Sequence, residues 1–135
     1  MYSNILIPIS LDEDRDPQTA IDVATILRAE SGTMTFLHVI ERPPNYALSY
    51  LPPEFLKEQR GMIESEMSLM ASKHPGATAA VIAGHAGRVI SDWSKDHSAD
   101  CIVITSHSPG MQDLLLGSTA QYVVRHAACS VHVVR

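Results

Sequence analysis

The residues of this chain whose types and spacing suit chemistry point to anion binding rather than bond making. Gly117-Ser118-Thr119 follows the apolar run Leu114-Leu115-Leu116 and opens a helical stretch. Glycine allows a sharp turn and a close approach of backbone to ligand. Ser118, with Gln121 three positions later, has the spacing of a capping box. The first amides of a helix lack intrahelical partners and carry about half a unit of positive charge, so a phosphate fits there without a lysine. None of the three lysines, Lys57, Lys73 and Lys95, follows a glycine, which excludes a Walker phosphate loop.

Other constellations fail on spacing. Asp12, Asp14 and Asp16 match the first ligands of a calcium loop. However, Pro17 stands where that loop needs glycine and Val23 where it needs glutamate, leaving an acidic loop suited at most to weak capture of phosphate-bound Mg2+. Ser106, His107 and Ser108 are adjacent, so their side chains diverge, and the sequence has no Gly-x-Ser-x-Gly elbow. His107 is expected to donate to a phosphate or to carbonyls of its own loop. His38 and His132 fall within strand-like runs and read as packed, hydrogen-bonded side chains. No HExxH or CxxC spacing supports zinc.

These residues must be held by alternating elements. Residues 4 to 9 form a short apolar run expected of a strand covered on both faces. A helix is expected from Asp16 as N-cap and Pro17 as first residue through Leu27, with Gly32 just past its end. Residues 33 to 40 read as a second strand, and 41 to 53, holding four of the eight prolines, as a long exposed loop. A helix over 54 to 73 sets Phe55, Met62, Ile63, Met67 and Met70 on one stripe, read as core packing. There follow a strand over Ala77–Ala83, a helix over 87 to 97, a strand over Cys101–Thr105, a helix over Ser118–His126 and a strand over Ser130–Val134. Such alternation implies a parallel sheet with helices on both faces, and ligands beyond the carboxyl ends of its strands.

Length and charge narrow the classes further. A chain of 135 residues is about one domain, so residues 1 to 135 are expected to fold as a unit. With 45% apolar and 19% charged residues and no apolar stretch near the roughly 18 residues a span needs, no membrane segment is expected. A net charge of −5 argues against nucleic-acid binding. Two cysteines, no disulfide framework and no signal-peptide pattern after Met1 predict a reducing cytoplasm.

The opening ILIPI, the second strand LHVI, Ser106-His107, LLLGS and the closing VVRHAACSVHVV together resemble the universal stress protein family across essentially the whole chain. That resemblance implies a doubly wound five-stranded parallel sheet in the order 3-2-1-4-5 with four helices, of the adenine nucleotide alpha hydrolase-like type. It also implies a homodimer through the last strand, with a tetramer left open, and in one branch bound ATP, with or without Mg2+. Carried onto this sequence, adenine lies near Ser10 and the backbone of Val39, and the ribose near Pro8 and Thr105. The phosphates rest on Ser106, His107 and Ser108 and on Gly117, Ser118 and Thr119, while Ile9 and Ile104 complete the set. The family's usual acid after the first strand is Ser10 here, two motif glycines are Thr105 and Ser108, and the following spacer is one residue short, as in a subgroup with a Ser-His-x-Pro loop. The reading that follows is a protein of the stress response that binds ATP as a regulatory ligand. Because no general base or metal cluster stands out in the sequence, any hydrolysis is expected to be slow and incidental. The alternative is a nucleotide-free dimeric module of the same fold that docks protein partners.

Overall fold

The computed structural model describes residues 1–12, 16–41, 50–106 and 116–135. Its strands are β1 (Tyr2–Pro8), β2 (Arg28–Ile40), β3 (Ala77–Ala83), β4 (Cys101–Thr105) and β5 (Ser130–Val134). Its helices are α1 (Gln18–Leu27), α2 (Pro53–Ser72), α3 (Ala86–Asp96) and α4 (Ser118–His126). All strand pairs are parallel, in the order β3-β2-β1-β4-β5. The winding runs outward from β1 through β2 to β3, then returns to β4 on the other side of β1. A crevice therefore opens beyond the carboxyl ends of β1 and β4.

Burial on both faces explains why the strands read as unbroken apolar runs. Ile5, Ile7, Met34, Phe36, Cys101 and Val103 pack under Ala20, Ile21 and Ala24 of α1 and Met67 and Ala71 of α2. On the other face Leu6, Leu37, Ile102 and Ile104 pack under Ile90 of α3 and Ala120 and Val123 of α4. Each fully buried Ile, Leu or Phe side chain contributes about 1.5–3 kcal/mol.

Beyond shifts of one or two residues at the ends of β1 and α3, four local features differ from the sequence-based expectation. Helix α1 starts one residue late: Pro17 is its cap, and the Asp16 Oδ1 accepts from the Gln18 amide at 2.9 Å. Strand β2 starts at Arg28 instead of residue 33, with an irregular step, since Tyr2 pairs with Arg28 but Asn4 with Thr33. Gly32 lies inside that step, where a Cβ would come within 2.8 Å of the Tyr2 carbonyl oxygen, so it serves close approach and not a helix end. Residue 53, expected in the loop, begins α2, and residues 42–49 of that loop lie outside the described residues.

The fourth difference concerns the stripe on α2. Met67 is fully buried and Ile63 and Met70 pack against the core, whereas Phe55 is 43% and Met62 73% exposed. At 3.6 residues per turn those two side chains point about 120–140° away from Met67. Arg60, on the same helix, donates through Nε to Glu64 Oε1 and through Nη2 to the Val81 carbonyl, both at 2.9 Å, and so ties α2 to the edge strand β3.

Helices α3 and α4 touch with no room between them. A Cβ on Gly87 would sit 2.7 Å from both Cβ and Cγ of Tyr122, atoms too close to the backbone to swing aside. Gly87→Ala should therefore force the two helices apart and cost about 1–3 kcal/mol, read as a lower urea midpoint.

Cys101 is buried under α1, and burial, reinforced by Cys129 and Asp100, pushes its thiol pKa up to about 11 from 9.0. The folded state keeps the proton that the unfolded chain releases above about pH 9, so stability is full below that pH and falls as pH rises towards 11. A Cys101→Ala variant should lack this component of the alkaline decline in urea titrations.

Candidate functional site

The helices that follow β1, β3 and β4 begin at the carboxyl edge of the sheet, and their first turns enclose a cleft of about 780 Å³. This lies within the range of small-molecule sites. The end of β1 supplies Pro8, Ile9, Ser10 and Asp12, and the start of α1 supplies Asp16, Pro17, Thr19 and Ala20. Residues 37 to 41 form the wall from β2. Ala86 and Ile90 of α3, Ile104 and Thr105 of β4, Ser118 and Thr119 of α4, and Val134 and Arg135 from β5 close the remainder.

The hydroxyl of Ser10 donates to Asp12 Oδ2 at 3.0 Å, so the serine that stands after β1 brings a carboxylate to the same turn. His38 Nδ1 lies 2.8 Å from the Ile9 carbonyl. A carbonyl only accepts, so Nδ1 carries the proton, and in the neutral ring Nε2 is left as an acceptor. The Ile9 amide in turn donates to the Leu37 carbonyl at 2.8 Å, which locks the ends of β1 and β2 together.

The first turns of the three helices at the cleft are finished differently. Asp16 Oδ1 accepts from the first turn of α1, and His85 Nδ1 accepts from the Arg88 amide as the N-cap of α3. Helix α4 has no side-chain cap. The capping box expected between Ser118 and Gln121 is not formed: Gly117 is the N-cap, and Gln121 Nε2 turns back to the Leu116 carbonyl at 2.7 Å. The cause lies at Gly117, whose amide donates to the Ser106 carbonyl at 2.6 Å and draws the cap one residue earlier than the box requires. Ser106 also donates its own amide to the Val134 carbonyl at 2.8 Å. Its hydroxyl is buried at this junction without a hydrogen-bond partner among the described residues.

Of the residues singled out from the sequence, Pro8, Ile9, Ser10, Val39, Ile104, Thr105, Ser118 and Thr119 line one cleft. Ser106 and Gly117 do not line it but are bonded to each other at the start of α4. His107 and Ser108 are outside the described residues. Thr105 is exposed at the rim and leaves the cleft open, although its side chain replaces the hydrogen of a glycine. The sequence reading missed His38, Glu41, Ala86, Ile90 and Arg135 as lining residues. Ala86 and Arg135 were within reach of topology alone, because a helix after β3 and the residue after β5 must emerge at the same edge as Ser118.

A family model described as the Universal stress protein family matches residues 1–135. The chain belongs to the universal stress protein family. Universal stress protein G of Salmonella typhimurium is 30% identical over 142 residues, covering all of both chains. The solved structure of universal stress protein UspA from Lactobacillus plantarum is similar with a TM-score of 0.71 and 26% identity, over 99% of this chain and 98% of that one. A universal stress protein from Archaeoglobus fulgidus, solved in complex with dAMP, has a TM-score of 0.66 at 16% identity, over 99% and 98% of the two chains. The family's doubly wound sheet of the adenine nucleotide alpha hydrolase-like type is the fold of this chain.

Proposed function

We propose that this universal stress protein binds an adenine nucleotide in the cleft above β1 and β4, with ATP as a regulatory ligand of the stress response in the cytoplasm. The observation that carries the reading is the start of α4. Its N-cap, Gly117, offers no side chain, Ser118 and Thr119 line a cleft of about 780 Å³, and Gly117 is bonded to Ser106, whose buried hydroxyl has no partner among the described residues. A phosphate supplies the acceptors and the negative charge that such a helix start favours. The Archaeoglobus relative holding dAMP supports the adenine nucleotide class.

In this reading Ser10 and the Val39 backbone receive adenine, Pro8 and Thr105 flank the ribose, and Ser118 and Thr119 receive phosphate. The working unit is a homodimer paired through β5. That edge strand exposes Ser130 and His132, whereas the opposite edge, β3, is engaged by Arg60. An unpaired edge strand invites a second chain.

Calorimetry with ATP and Mg2+ should give saturable one-to-one binding per chain, and heat no different from dilution at millimolar ATP would overturn the reading. Ser118→Asp places a carboxylate where the phosphate would sit. It should weaken ATP about tenfold or more, while an acid in the first turn leaves thermal stability equal or slightly raised. Light scattering should report two chains per particle at micromolar concentration.

A further inference from the structure

The cleft is electrically two-sided. Where β1, α1 and β2 meet it, the lining carries Asp12, Asp16 and Glu41; where β5 meets it, the lining carries Arg135. Among the described lining residues Arg135 is the only arginine or lysine. Strand β5 is three strand spacings from β2 in the sheet, about 14 Å. An elongated ligand in the cleft therefore meets carboxylates at one end and a cation at the other.

The backbone fixes where β5 delivers Arg135. Val134 pairs with Thr105, its carbonyl accepts from the Ser106 amide at 2.8 Å, and the Ser106 carbonyl accepts from Gly117 at 2.6 Å. Arg135 is thus one residue from the junction that carries both the start of α4 and the unpartnered Ser106 hydroxyl. Amide donors there are neutral. The guanidinium adds a full positive charge and a planar fork of N–H donors matched to phosphate oxygens.

We infer that Arg135 is the specificity-determining residue that makes this cleft select phosphorylated nucleosides over free nucleosides. The inference rests on the nucleotide reading above and assigns to one side chain the preference for phosphate. Arg135 meets the phosphate from the β5 side while the α4 amides meet it from the helix side. The carboxylates at the other end disfavour the reverse orientation. Because Arg135 is exposed, its contribution is modest and screened by salt.

The test compares the wild-type protein with Arg135→Gln and Arg135→Lys, titrated by calorimetry with ATP, AMP and adenosine. Arg135→Gln should bind AMP and ATP about three- to tenfold more weakly at about 50 mM salt, with adenosine unchanged and the deficit shrinking at about 500 mM. Arg135→Lys should recover part of the loss. Equal phosphate affinities in wild type and Arg135→Gln, or an equal loss for adenosine, would overturn the assignment while leaving the nucleotide reading intact. A wild-type chain that binds neither AMP nor ATP would remove that reading and this assignment together. Unchanged thermal melting of both variants keeps a folding defect from mimicking the expected result.

Discussion

The hydrogen bond from the Gly117 amide to the Ser106 carbonyl decides where α4 begins, and the rest of the cleft follows from that point. Ser106 is held on its other side by Val134, so three elements share one residue. Had Ser118 capped the helix, its hydroxyl would have taken a first-turn amide and left less for a ligand. The cap falls instead on a glycine that has no side chain to offer, and the amides after it face the cleft without one.

Under α4 the packing is close. Ile104 and Ile102 of β4 are held under Ala120 and Val123 of α4, and Gly87 of α3 is pressed against Tyr122. The body of α4 is therefore held by apolar contacts on the far face of the sheet, while the hydrogen bond from Gly117 to Ser106 sets its first residue. The opposite wall is set separately: His38 clasps the Ile9 carbonyl, and Ile9 clasps Leu37. Two separately braced walls leave a preformed crevice between them.

Much of this was legible in the sequence because each strand is buried on both faces, which writes short apolar runs that cannot be helices. The bounds of β3, β4, α4 and β5 follow from that pattern and from the residues flanking it. What failed depended on angle or on distant partners. Phe55 and Met62 belong to an apolar list but not to the face that Met67 occupies. Gly32 looked like a helix end because the Tyr2 carbonyl it accommodates is 30 positions away. The Ser118 box lost to the Ser106 carbonyl, a contact that no local spacing encodes. The cleft was found through the strand ends, but its charged flank at Arg135 was missed because that residue comes near Ser106 only once β4 and β5 are side by side.

The anchoring of Arg60 on the Val81 carbonyl limits how the sheet can grow. A polymer of stacked sheets needs two adhesive rims on each subunit, one to receive and one to offer. Here the Arg60 guanidinium holds the Val81 carbonyl on one rim, so a strand adding there would first have to displace it. That asymmetry between the rims works against a chain of apolar strands propagating into a fibre.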